Sequence, residues 1–216
     1  AGRIANPRPG FYLILRPEDK AAGAPDPQQW VHALMKHQGT DYRISLLSAA
    51  RFHGATHEAP TLQLIVPRQL RDFGIGQYRI EFTPQPENAF IRTNRPEWLA
   101  ETKAGAKAAG VELALLDCAR WFHKAGGISA VGQVARDLGA RALPRRLTTL
   151  ARACESSAVR RLGYLLELAG HEPQAKALDQ FAKDARSVKL LDPASKEAPT
   201  EMSGRWKIAV NTPPKR

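Results

Sequence analysis

The stretch Val111-Glu112-Leu113-Ala114-Leu115-Leu116-Asp117-Cys118-Ala119-Arg120-Trp121-Phe122 sets Val111, Ala114, Leu115, Cys118, Ala119 and Phe122 at i, i+3, i+4, i+7, i+8 and i+11. That spacing is the apolar stripe of one helix face. Downstream the same period recurs. Ile128, Val131, Val134, Ala135 and Leu138 form a second stripe between Gly126-Gly127 and Gly139. A third runs Leu147, Leu150, Ala151 and Cys154, and a fourth runs Ala158, Leu162, Leu165 and Ala169 before Gly170. A further helix is expected over 173–186.

Upstream of Val111 the period is different. Leu62-Gln63-Leu64-Ile65-Val66 is an apolar run stopped by Pro67, and Tyr78-Arg79-Ile80-Glu81-Phe82 alternates with a period of two before Pro84. Both read as strands. We expect them to pair antiparallel, with a further strand near 89–92 and a weak one near 105–109, and to pack on the helices that begin near Val111. Asp26 with Pro27 starts a helix bearing Trp30, Leu34 and Met35, which Gly39 ends. Ser45 is expected to cap a short helix over 46–53, terminated by Gly54. Arg205-Trp206-Lys207-Ile208-Ala209-Val210-Asn211 alternates again and reads as a last strand. The fold class expected is therefore α+β, an antiparallel β-meander packed against an α-helical bundle.

At the N-terminus, Asn6-Pro7-Arg8-Pro9-Gly10 separates a short apolar start from Phe11-Tyr12-Leu13-Ile14-Leu15. The turn formers cannot continue either flank, so residues 3–16 should fold back as a hairpin. The chain opens at Ala1 and its first residues read as the middle of a motif, so an upstream piece is expected. The organisation expected is a hairpin and linker over 1–25 and a larger domain over 26–216.

The chain of 216 residues is 43% hydrophobic and 25% charged, enough to bury a core and typical of a folded protein. Cys118 and Cys154 are too few and too far apart for a disulfide framework, which fits a reducing cytoplasm. No apolar run is long enough to cross a bilayer, so no membrane partner is expected. Net charge is +11, and the segment 120–161 holds nine basic residues against Asp137 and Glu155. Arg141, Arg145, Arg146, Arg152, Arg160 and Arg161 are expected to form a basic face for nucleic acid or an acidic protein partner.

Enzymatic signatures are sparse. His53 and His57 have i, i+4 spacing, but Gly54 between them ends the helix and no cysteine is near, so no metal site and no cofactor is expected. Glu101-Thr102-Lys103 has the E-x-K form of metal-dependent nucleases; it precedes a small-residue run rather than lying on an apolar strand. A nuclease using Glu101 and Lys103 is the alternative to a binding protein. No catalytic residues are assigned for the binding reading.

Several segments together resemble the AbiEi family of antitoxins. They are Tyr42-Arg43-Ile44-Ser45-Leu46-Leu47-Ser48-Ala49-Ala50-Arg51-Phe52-His53-Gly54-Ala55, Leu64-Ile65-Val66-Pro67 with Ile75-Gly76 and Ile80-Glu81-Phe82, Glu112-Leu113-Ala114-Leu115-Leu116-Asp117, Arg161-Leu162-Gly163-Tyr164-Leu165-Leu166-Glu167, and 205–211. The resemblance extends in order from Tyr12 to Asn211. It implies a type IV toxin-antitoxin (abortive-infection, phage-defence) protein that is not an enzyme. Members combine an N-terminal winged helix-turn-helix, which represses the operon, with a C-terminal domain that counters a nucleotidyltransferase toxin. On that resemblance residues 3–16 are the wing of a winged helix whose other helices this chain lacks. Arg3 and Arg8 are then placed to meet DNA phosphates. The partners implied are operator DNA, through the full-length protein, and the cognate toxin.

Overall fold

The computed structural model describes residues 4–55 and 60–214. It is α+β and divides into two compact units, one of Ala1–Ala49 with Glu58–Ala109 and one of Ala50–His57 with Gly110–Arg216. Each is described in turn.

In the first unit, β1 (Ile4–Arg8) and β2 (Phe11–Ile14) pair antiparallel as the expected hairpin. Leu13 and partly buried Phe11 turn inward, while Ile4, Tyr12 and Ile14 lie exposed. α1 (Pro27–His37) begins where Asp26 Oδ1 accepts from Gln28 N at 2.9 Å, with Pro27 in its first position. Its face of Trp30, Val31, Leu34 and Met35 is buried.

That face covers a six-stranded sheet. β3 (Arg43–Ile44) leads into α2 (Leu46–Phe52), followed by β4 (Thr61–Val66), β5 (Phe73–Ile75), β6 (Tyr78–Pro84), α3 (Glu87–Thr93), β7 (Leu99–Glu101) and β8 (Lys107–Ala109). The strand order is β5-β6-β4-β3-β8-β7. Leu62, Leu64, Val66, Ile80 and Phe82 share one core with the α1 residues, as period-two side chains on one sheet face must.

The sheet is not the expected meander, because β4 and β6 pair parallel, with Leu62 opposite Ile80 and Leu64 opposite Phe82. The physical reason is β5, a strand that the sequence reading did not identify. The chain leaves β4, returns along β5 at the edge, and reverses again into β6 between them, so two reversals restore the direction. The core lying on this sheet within its own unit comes from α1. The strand expected at 89–92 is helix instead: Phe90 and Thr93 are buried one turn apart, and Thr93 Oγ1 donates to Ala89 and Phe90 carbonyls.

Two close backbone approaches shape this unit. Gly76 turns β5 into β6 at φ +55°, and an added Cβ would lie 2.1 Å from the Ala22 carbonyl oxygen. Gln77 N donates to that same oxygen at 2.8 Å. At the β3–α2 turn Leu46 adopts φ +53°, a left-handed conformation costing about 1–2 kcal/mol for a side-chain-bearing residue. Gln63 holds it there: its carbonyl accepts from Ser45 N, its side chain accepts from Leu47 N, and its own N–H donates to Ser48 Oγ.

The second unit is helical with a small terminal sheet. α4 (Val111–Arg120) is buried on nearly every side rather than along one stripe, with all of Glu112 to Ala119 inaccessible. α5 (Gly127–Leu138), α6 (Pro144–Ala151) and α7 (Ser156–Leu168) pack against it. The helix expected at 173–186 is broken into α8 (Glu172–Lys176) and α9 (Asp179–Lys183). β9 (Lys189–Leu190), β10 (Glu201–Ser203) and β11 (Ile208–Val210) form a sheet ordered β10-β11-β9. No helix among the described residues is long and apolar enough to cross a membrane.

Candidate functional site

The basic face selected from sequence divides into three groups. Arg160 and Arg161 do not belong to a surface: they are 2% and 5% exposed. Arg161 Nη1 donates to the Ala119 carbonyl at 2.7 Å and Nε to that of Leu191 at 2.8 Å, with the guanidinium over the Phe122 ring. Ala119 lies in the last turn of α4, where carbonyls lack helical partners and a cation is favoured. Arg160 Nη1 donates to Ser187 and Lys207 carbonyls. α7 carries apolar neighbours all round, so side chains off the Ala158–Leu162–Leu165 stripe are enclosed by the 187–211 segment. Burial pushes the Arg161 guanidinium down to about 10, with nearby Arg160 adding to the effect and Asp192 and Glu155 opposing it.

Arg146 is half-exposed and pairs with the buried Glu112 carboxylate at 3.3 Å, which also accepts from Leu143 N. Arg141, Arg145 and Arg152 are exposed. Arg141 donates to the His53 carbonyl, while Arg145 and Arg152 stand two turns apart along α6, about 10 Å on its axis. This trio is what remains of a basic surface. Elsewhere Arg120 bonds Glu155 at 2.6 Å and Arg136 bonds Gln133.

Of the two hairpin residues, Arg3 lies outside the described residues. Arg8 is partly buried, stacked 4.4 Å over the Phe73 ring and donating to the Arg71 carbonyl. Burial lowers its pKa, and Arg71 adds to that. Glu101 ends β7 at the sheet edge and Lys103 follows in the turn, both exposed. A nuclease pair would sit on a central strand, and among the described residues no group of three or more His, Cys, Asp or Glu could hold a metal. His57 lies outside the described residues.

Two clusters were missed in the sequence. In the first unit Asp41 accepts from Lys107 Nζ at 2.6 Å, Asn94 Nδ2 at 3.0 Å and Tyr42 N at 2.8 Å. The buried Tyr42 hydroxyl accepts from Lys107 N and meets His32 Nδ1 at 3.1 Å. Burial pushes that phenol up to about 12, so it stays protonated. In the second unit Arg205 binds Glu167, Glu172 and Asp179 together and is held charged by them, Glu172 foremost. The neighbouring Trp206 indole N–H donates to Glu167 Oε2 at 2.6 Å. No spacing rule joins residues 32, 41, 94 and 107, although Tyr42 opens the first of the quoted family segments.

The fold defines an α+β protein with a net charge of +11. The same fold is seen in the crystal structure of the RV2827C protein from Mycobacterium tuberculosis, with a TM-score of 0.68 and 18% identity over 96% of this chain and 75% of that one. The model of the AbiEi antitoxin C-terminal domain matches residues 43–168, and the chain belongs to that family. It is a family of toxin-antitoxin system antitoxins and not an enzyme family. No curated protein matches the chain.

Proposed function

We propose that this protein counters a nucleotidyltransferase toxin in the cytoplasm and, in a form carrying a helix-turn-helix, represses its own operon by binding operator DNA. The observation that carries the reading is the family match over 43–168. Residues 1–25 serve as the wing and 26–216 as the antitoxin domain. The hairpin supports this by its form, and its phosphate contacts would come from Arg3 and from Arg8, whose stacking on Phe73 fixes its charge in place.

Arg141, Arg145 and Arg152, with Arg146 beside them, form the basic partner-binding face. Contacts of this kind position a protein on phosphates without reading sequence. The 216-residue chain therefore binds duplex DNA weakly and without operator preference. Removing one of these arginines lowers the salt slope of that binding by about 1. Growth rescue on induction of the neighbouring nucleotidyltransferase tests the antitoxin reading; absence of rescue refutes it.

A further inference from the structure

Beside the arginines of the second unit stand two exposed apolar side chains. Phe52 closes α2 and is 37% exposed, with its ring edge-on to that of His53, centroids 5.0 Å apart at 68°. The His53 carbonyl accepts from Arg141, whose Nη1 is 3.9 Å from the position a Cβ would take on Gly54. Gly54 has no side chain to cover that guanidinium, and Arg141 is exposed. Ala142 follows, buried on extended backbone, and its neighbours Arg141 and Leu143 both reach solvent, Leu143 at 58% exposure. All of these residues belong to the second unit.

From Leu143 the chain enters α6, whose Leu147, Leu150 and Ala151 are buried. Arg145, Thr149 and Arg152, at i, i+4 and i+7, form its exposed stripe. Their charge is not cancelled locally. Glu112 is buried and taken by Arg146 and by Leu143 N, and Glu155, three residues beyond Arg152, is taken by Arg120. Among the described residues no carboxylate bonds Arg141, Arg145 or Arg152. Arginines alone would suit any polyanion. The ring beside them narrows the choice, because a duplex keeps its bases stacked inside, whereas a single strand can turn a base face outward onto an aromatic side chain.

We propose that this face binds single-stranded nucleic acid, with Arg141, Arg145 and Arg152 on the backbone phosphates, a base against the Phe52 ring, and Leu143 as a second apolar contact. The assignment rests on the reading of these arginines as the basic partner-binding face and gives that face its ligand. Stacking and phosphate contacts ignore the 2′-hydroxyl, so RNA and DNA strands bind alike. Charge by itself would favour the duplex, whose phosphates are more densely spaced and whose salt slope is about 0.9 per contact against about 0.7 for a single strand. A preference for the single strand therefore reports the ring and not the arginines.

Fluorescence anisotropy of the 216-residue chain with labelled oligothymidylate, oligouridylate and a DNA duplex of equal length, at one low salt concentration, tests it. Both single strands are expected to bind more tightly than the duplex. Phe52→Leu keeps an apolar side chain of similar reach but removes the ring; it should weaken the two strands about tenfold and the duplex hardly at all, as loss of one stacked base does. Arg145→Gln should weaken all three ligands and lower the salt slope by about 0.7 for the strands and about 0.9 for the duplex. Circular dichroism checks that each variant is folded. A duplex bound as tightly as the strands, or strand binding indifferent to Phe52→Leu, overturns the single-strand assignment while leaving the basic face in place. Failure of every nucleic acid to bind overturns both and leaves the face to an acidic protein; growth rescue reports on the antitoxin reading separately.

Discussion

Replacing Gly163 by alanine separates local helix propensity from tertiary packing, because the two predict opposite signs. Gly163 lies within α7, where alanine is favoured over glycine by about 0.8–1.0 kcal/mol. An added Cβ would stand 2.1, 2.3 and 2.6 Å from Cζ3, Cη2 and Cε3 of the Trp206 ring. Ordinary carbon contacts are about 3.5–4.0 Å, so the ring must withdraw by about 1.4 Å or more. It has nowhere to go: Trp206 is fully buried, and its N–H is anchored on Glu167. Overpacking of this kind costs about 1–3 kcal/mol, and stretching a hydrogen bond to a carboxylate adds about 1 kcal/mol. Set against the propensity gain, the net expectation is a loss of about 1–3 kcal/mol. Urea unfolding followed by circular dichroism and tryptophan emission measures it. In a Trp206→Leu background the clash is gone, and Gly163→Ala should then stabilise by up to about 1 kcal/mol. A double-mutant cycle gives the coupling as the difference. If Gly163→Ala leaves the otherwise native chain equally or more stable, the packing argument is wrong.

Arg161→Met should cost about 2–4 kcal/mol by leaving the Ala119 and Leu191 carbonyls without their charged donor. Arg152→Gln should stay within about 0.5 kcal/mol, and equal effects for the two would show Arg161 to be no clamp. The Tyr42 phenol is raised to about 12 against an unfolded value of ~10. Its contribution is therefore complete below pH 10 and is lost as pH climbs from 10 to 12. Over that window the native chain should lose about 2–3 kcal/mol more than Tyr42→Phe does; parallel pH curves for the two chains would count against a buried, neutral phenol. Gly76→Ala, whose Cβ meets the Ala22 carbonyl at a positive φ, should lower Tm by several degrees, and an unchanged Tm would contradict the close approach drawn there.

The elements of this protein are largely local facts, and the sequence determines them. Asp26-Pro27 starts α1, Pro9-Gly10 makes the hairpin turn, with Asn6 to Arg8 continuing β1 rather than turning as their composition suggests, and the stripes after Val111 make helices, because capping, turn chemistry and the 3.6-residue period act within a few residues. The family segments were legible for a related reason, since they lie in these same elements. Long-range relations are different in kind. The three residues of β5 carry too little pattern to be recognised alone, yet they decide that β4 and β6 run parallel. Periodicity says which side chains leave a stripe; it does not say whether solvent or another segment waits there. Arg160 and Arg161 fall off their stripe as the sequence shows, but the 187–211 segment folds over them and turns them into carbonyl clamps. The cleft around His32, Asp41, Asn94 and Lys107 exists only because α1, the end of α3 and β8 converge. Charge and period are properties of the chain, whereas burial and proximity are properties of its partners in space, and only the tertiary structure assigns those.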